Sequence, residues 1–220
     1  MIFGYLSRMI LLRFLDVFSP EEILRFGGLT LLLLIVFCET GVFFGFFLPG
    51  DSLLFTAGLL TNHKIIDVPV WQLILLVVIA AVSGSTVGYL TGRWAHGFFS
   101  KRKENFFYKK EYMDMTRAFY RKYGAMAFII GRFLPVVRTF VTIMSGMVRI
   151  DFKIFFIFNV IGVGIWVIAM VMAGYALGNI FPDILDYLEI IVIALVVLTA
   201  IPIILQFRKH RTANKQKSAS

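Results

Sequence analysis

Four ionisable side chains stand in otherwise apolar stretches of the sequence: Glu39, Asp51, Arg132 and Arg138. All four accompany proline-centred breaks. Glu39 precedes Pro49-Gly50 and Asp51 follows it directly, while Arg132 and Arg138 flank Pro135. A charged side chain at membrane depth costs at least about 2.5–3.5 kcal/mol, so its presence there points to function by default. A carboxylate balanced between desolvation, which favours the protonated form, and a nearby guanidinium, which favours the anion, can take up and release a proton. Glu39 and Asp51 are therefore candidates for proton coupling. Guanidiniums beside the exposed backbone N–H groups of a helix break suit a phosphate, which makes Arg132 and Arg138 candidate phosphate ligands, with the Thr139 hydroxyl beside them. Plainer readings stand next to these. Asp51 could cap a helix over Ser52–Leu60, Glu39 could be structural, and the arginines could be internal counter-ions of the two acids. An arginine paired with a carboxylate at rest could also exchange that partner for a ligand phosphate once the carboxylate protonates.

The elements that must position these residues follow from composition. The chain has 220 residues, of which 59% are hydrophobic, 16% aromatic and only 16% charged, with mean hydropathy +0.85. Soluble domains run about 45–50% apolar and about 25% charged. The net charge of +9 would by itself suit nucleic acid. A nucleic-acid binder has no need of several long uncharged apolar stretches, so none is expected as a partner. The single Cys38 excludes an internal disulfide and a Cys-rich metal site. The expected class is an all-α polytopic membrane protein. Val70–Thr91, Ile154–Gly178 and Ile190–Phe207 are uncharged and long enough to cross a hydrocarbon core of ~30 Å at ~1.5 Å per residue. Two further apolar regions are interrupted. Leu29–Leu48 runs into Pro49-Gly50 before Ser52–Leu60, and Ala125–Val148 is broken over Gly131–Arg138. Arms that cover half a bilayer read as re-entrant hairpins, with Pro49, Gly50 and Pro135 at the breaks. Broken backbone at that depth must be buried in protein or line a wet cavity.

One membrane domain is expected over residues 1–220. Residues 1–28 form an amino-terminal amphipathic or interfacial segment in which Met1–Val17 is short for a span and lacks a signal-peptide cleavage site. Ser19-Pro20-Glu21-Glu22 reads as a helix start with a capping box. Residues 29–92 make a first repeat, 93–122 a basic loop or helix, 123–178 a second repeat, 189–207 a carboxy-terminal transmembrane helix and 208–220 a basic tail. The loop holds nine Lys and Arg against Glu104, Glu111 and Asp114, and the tail is basic with no acid. The connection Asn179–Glu189 holds acids and no base. The positive-inside rule puts the loop and tail in the cytoplasm and the acidic connection outside.

The repeat rests on two matches. Gly45-Phe46-Phe47-Leu48-Pro49 aligns with Gly131-Arg132-Phe133-Leu134-Pro135, and Gly88-Tyr89-Leu90-Thr91-Gly92 aligns with Gly174-Tyr175-Ala176-Leu177-Gly178, both at an offset of 86 residues. The first Gly-Tyr-x-x-Gly leads into the basic loop and the second into the acidic one, so the two units have opposite topology. Inverted repeats with broken helices are the architecture of secondary transporters, whose sites lie at the breaks. Gly84, Gly88 and Gly92 also form a small-residue packing ridge.

Other residues carry less. His63, His96 and His210 lack metal-ligand spacing, and no cofactor motif occurs. Gly84–Gly88 is not a nucleophile elbow, and Ser100-Lys101-Arg102-Lys103 matches Ser-x-x-Lys only inside a charge run. Trp71, Trp94 and Trp166 read as interface or packing residues. Tyr108–Lys122 reads as an amphipathic helix on the inner leaflet. No nucleophile and base stand together, so an enzyme is not expected.

Glu39-Thr40-Gly41, Phe47-Leu48-Pro49-Gly50-Asp51-Ser52-Leu53-Leu54, Gly131-Arg132-Phe133-Leu134-Pro135-x-x-Arg138-Thr139 and the Gly-Tyr-x-x-Gly pair resemble the bacterial DedA family. That family shares the SNARE-associated (VTT) domain with eukaryotic lipid scramblases. The resemblance covers roughly Leu29 to Gly178. It implies an inner-membrane lipid transporter with two re-entrant hairpins, associated with undecaprenyl phosphate or phosphatidylethanolamine, proton coupling and maintenance of the membrane potential. The family's functional acids match Glu39 and Asp51, and its functional arginines match Arg132 and Arg138. Ser85 departs from the pattern, since many members carry an acid there before Val-Gly-Tyr.

The expected function is translocation of an anionic lipid phosphate, first of all undecaprenyl phosphate, coupled to protons in a bacterial inner membrane with the carboxy terminus cytoplasmic. Phosphatidylethanolamine flipping or scrambling, a proton-coupled exporter of small cations or drugs, and a non-transporting scaffold are the alternatives. The expected partners are a phosphate-headed lipid, the membrane and protons, and a homodimer stays open.

Overall fold

The computed structural model describes residues 20–42, 45, 48, 50–61, 66, 68–99, 118, 120–133 and 135–180. Within them the chain is helical: α1 (Pro20–Gly41), α2 (Gly50–Thr61), α3 (Val70–Phe99), the single-turn α4 (Ala127–Ile130), α5 (Pro135–Met147) and α6 (Phe152–Ile180). Two of these are long and apolar enough to cross a membrane, Val70–Ala95 within α3 and Phe152–Ile180. The expected spans at Val70–Thr91 and Ile154–Gly178 fall inside them. The expected span Ile190–Phe207, the Met1–Val17 segment and most of Tyr108–Lys122 lie outside the described residues.

Glycine and proline set the helix ends. Pro20 is the first residue of α1, a position that needs no N–H partner. α1 kinks at Gly28, whose φ of 53° and ψ of −147° suit a residue without a Cβ, and the apolar arm runs from Gly27 to Gly41. This arm stops well short of Leu48, where the apolar run alone would have carried it. The chain turns instead through a series of tight bends. Val42 N–H bonds Cys38 O at 2.9 Å, Gly45 N–H bonds Val42 O at 2.8 Å, Leu48 N–H bonds Gly45 O at 2.9 Å and Gly50 N–H bonds Leu48 O at 2.9 Å. Each bend satisfies a backbone donor that would otherwise be orphaned in an apolar setting. A Cβ on Gly45 would strike the backbone of Cys38 and Glu39, so glycine lets the bend fold back over the end of α1.

In the second interrupted region the arm before the break is not one regular α-helix. It is three short pieces, a 3-10 turn at Gly124–Met126, α4, and a second 3-10 turn at Gly131–Phe133. Pro135 then opens α5, so Arg138 lies in that helix's first turn and not in the break. α5 closes on a turn in which Arg149 takes φ 59°, and Asp151 starts α6 by accepting from the N–H groups of Lys153 at 2.8 Å and Ile154 at 3.2 Å.

Small residues govern how the helices pack. Gly84 of α3 lies against Phe37 O and Thr40 of α1, Gly88 against Gly41 and Thr142, and Gly92 against Ile143 of α5, as expected of a packing ridge. On the other side, Gly58 of α2 lies against Val171 of α6, and Gly174 lies against Phe55. Contacts rise together along α1 and α3, along α5 and α3, and along α2 and α6, so each of these pairs runs parallel. Among the described residues two apolar cores result. One joins α1, α2, α3 and α6 around Leu32, Leu53, Val77 and Trp166, and the other gathers Tyr89, Phe128, Val141 and Phe155. Tyr89 stacks on Phe155 with ring centroids 4.5 Å apart, donates to Ile150 O at 2.5 Å and accepts from Arg93. The outward faces of the long helices stay apolar, with Trp71, Leu75 and Ile79 on α3 and Ile157, Ile161, Ile165 and Ile168 on α6 all exposed. Such continuous apolar surface fits lipid better than water.

Candidate functional site

The ends of α1, α2 and α5 that border the two breaks meet in a buried polar layer. Glu39 projects from the end of α1, Asp51 from the first turn of α2 and Arg138 from the first turn of α5. Arg138 donates through Nη2 to Glu39 Oε1 and through Nη1 to Asp51 Oδ1, the latter at 2.9 Å. Its guanidinium also lies over the Trp166 ring, 4.8 Å from the centroid, while the indole N–H donates to Asp51 Oδ1 at 2.9 Å. Glu39 is wholly buried, whereas the Asp51 side chain keeps 14% exposure. Gly50 packs directly onto the Glu39 carboxylate, where any Cβ would collide with it. Two carboxylates here surround one guanidinium, a net charge of −1 if all are ionised. Glu39 Oε2 and Arg138 Nε have no hydrogen-bond partner among the described residues. The layer therefore has spare acceptor and donor capacity.

Arg132 sits in different surroundings. It lies in the 3-10 turn before the break and is 4% exposed. Nη2 donates to Ser85 Oγ of α3 at 2.8 Å and to Asn159 Oδ1 of α6. Among the described residues, neither of its partners is an acid. α6 can approach closely because Gly162 leaves room, a Cβ there coming within 3.2 Å of Arg132 Cδ.

The structure thus brings Glu39, Asp51 and Arg138 into contact, and it gives Arg132 a separate set of partners. The reading of both arginines as counter-ions of the two acids holds for Arg138 alone. Asp51 is inside the first turn of α2, and its carboxylate is turned to Arg138 and Trp166. Thr139 is buried next to Arg138 on α5. Gly50 and Pro135 open α2 and α5, and Pro49 lies outside the described residues. Trp71 and Trp94 are exposed, as interface residues would be, but Trp166 is buried at the ion pair. Asn159 was not singled out from the sequence. Its signal was available, a lone amide in the otherwise apolar run from Ile154 to Gly178.

Apolar outer faces over a buried charged layer define a helical membrane protein. The VTT domain model matches residues 48–176. Protein DedA of Escherichia coli K12 is 37% identical over 202 residues, 90% of this chain and 91% of its own. An uncharacterized membrane protein of Mycobacterium leprae is 35% identical over 184 residues, 84% of this chain and 81% of its own. The inner membrane protein YqjA of Escherichia coli K12 is 33% identical over 148 residues, 67% of this chain and 66% of its own. This chain belongs to the DedA family of VTT-domain membrane proteins. No solved structure matches it.

Proposed function

We propose that the protein is a bacterial inner-membrane transporter that moves an anionic lipid phosphate, undecaprenyl phosphate first of all, coupled to protons. The observation that carries this reading is the Glu39–Arg138–Asp51 cluster at the convergence of the two breaks. With both acids ionised, the charge of Arg138 is already met by two carboxylates. Protonation of Glu39 removes one of its charged acceptors and leaves an Arg138 N–H group for a phosphate oxygen, with Arg132 and Thr139 as further ligands. Binding of the headgroup and uptake of the proton are then coupled through one guanidinium. The apolar exposed faces of α3 and α6 suit a substrate that keeps its chain in lipid.

The inverted-repeat reading has support from equivalent contacts. Gly88 lies beside Thr142 of α5, and Gly174, its partner at the 86-residue offset, lies beside Phe55 of α2. Each return arm runs parallel to the long helix of the other unit. Together with the basic 93–122 loop and the acidic 179–189 connection, this favours hairpins that enter from opposite faces, with the basic tail in the cytoplasm. The name of the YqjA relative supports an inner-membrane location.

Purified protein in liposomes should flip labelled undecaprenyl phosphate, and Arg138→Ala should stop it in protein that still elutes as a folded species. Unchanged flipping in that variant sinks the reading. The net negative charge around Arg138 favours one competitor, a proton-coupled exporter of small cations. Proton flux that responds to an added cation and not to lipid phosphate would select it.

A further inference from the structure

Arg132 is the buried cation that the ion-pair cluster does not use. Ser85 Oγ gives its own hydrogen to Ala81 O at 2.6 Å, so towards Arg132 it acts purely as an acceptor. Asn159 must turn its carbonyl oxygen to Arg132, because a guanidinium only donates. Its amide nitrogen therefore points elsewhere. Asn159 is 2% exposed, and Nδ2 has no partner among the described residues. A buried positive charge held by neutral acceptors, next to an unused N–H2 group and without a described acid, lacks one component: an anion.

We propose that Arg132, Asn159 and Ser85 form a separate oxyanion subsite that takes a phosphate monoester, with Arg132 supplying charge, Asn159 Nδ2 donating to a phosphate oxygen, and Ser85 holding Arg132 through a neutral acceptor that leaves its charge uncompensated. The proposal rests on the lipid-phosphate reading above and locates the headgroup one step away from the proton-handling cluster. Arg138 is held by two carboxylates and meets an anion only after one of them protonates. Arg132 carries no such condition, so it is the first ligand and Arg138 the second. The neighbouring surface suits a lipid source of the monoester. Ile130 and Phe133, on either side of Arg132 in sequence, are 41% and 54% exposed, so an alkyl chain has apolar surface close to the headgroup ligand.

The test uses the full chain in a neutral detergent with three probes: inorganic phosphate, dodecyl phosphate and dodecanol. Thermal unfolding is followed against probe concentration. Dodecyl phosphate should raise the midpoint saturably and dodecanol should not. Ser85→Asp and Asn159→Asp place a carboxylate on Arg132, and each should weaken the apparent Kd for dodecyl phosphate at least tenfold without lowering the probe-free midpoint. Equal binding of inorganic phosphate supports the subsite with a soluble source, and binding of dodecyl phosphate alone supports a lipid source. Binding by neither, or a Ser85→Asp Kd within twofold of the parent, overturns the proposal. A measurement on the unsubstituted chain guards against variants that do not fold. With 15N-labelled arginine, the Arg132 guanidinium resonance should move on titration with dodecyl phosphate near neutral pH, and a shift confined to Arg138 overturns the proposal. Flipping of undecaprenyl phosphate without binding at Arg132 would remove the subsite and leave the transport reading, while binding without flipping would do the reverse.

Discussion

The two buried arginines hold similar depths and opposite electrical situations. Arg138 is clamped by Glu39 and Asp51 and covered by Trp166. Arg132 is held by a hydroxyl and an amide. A buried guanidinium with its carboxylates in place is compensated, whereas one held by neutral acceptors has no counter-charge among the described residues. Under the proposed function, that difference would assign proton handling to Arg138 and anion binding to Arg132, six residues earlier in sequence. Arg132 lies in a 3-10 turn, whereas Arg138 lies in the first turn of α5.

The largest effect should come from removing the clamp's centre. Arg138→Ala leaves Glu39 and Asp51 facing each other without a cation, and losing one partner of a buried pair costs about 3–5 kcal/mol. Denaturant unfolding in detergent should register that loss, together with the loss of transport. A loss under 1 kcal/mol would mean that the pair is solvated and that the contrast with Arg132 is wrong.

The next effect separates the two acids. Glu39→Gln keeps the shape but replaces a charged hydrogen bond in a fully buried position, a loss of about 1.5–3 kcal/mol. Asp51→Asn should cost less, because that side chain retains 14% exposure and water can compensate. Urea titrations of both variants should show this order, and a reversal would make Asp51 the principal counter-ion.

Much of this arrangement was legible in the sequence. Glu39, Asp51, Arg132 and Arg138 stood out because charge in an apolar run is costly, and Gly84, Gly88 and Gly92 marked close helix packing. The partners were not legible. Which arginine meets the acids depends on where α5 begins, and only the fold shows that Pro135 starts it and puts Arg138 within reach of α1 and α2. The end of α1 was hidden for a related reason. The run to Leu48 stays apolar, and the turn after Gly41 is driven by backbone closure around Gly45 and not by polarity. Trp166 reads as an interface or packing residue because an indole in a span usually is one, and its N–H meets Asp51 through the parallel pairing of α2 and α6.

The smallest effect tests that indole. Trp166→Phe keeps an aromatic face over Arg138 but removes the donor to Asp51, a loss of about 1 kcal/mol. Thermal unfolding should detect it, with transport slowed and not abolished. No change in either quantity would remove Trp166 from the cluster.

The central claim of the proposed function is that the Glu39 carboxylate and a lipid phosphate compete for Arg138, and that a proton on Glu39 favours the phosphate. Its most direct test is the rate of undecaprenyl phosphate flipping in proteoliposomes, with and without an imposed pH gradient, in the parent chain and in Glu39→Gln. The account predicts that the gradient accelerates the parent and that Glu39→Gln flips at a rate independent of it. Gradient dependence that survives intact in Glu39→Gln would contradict the account.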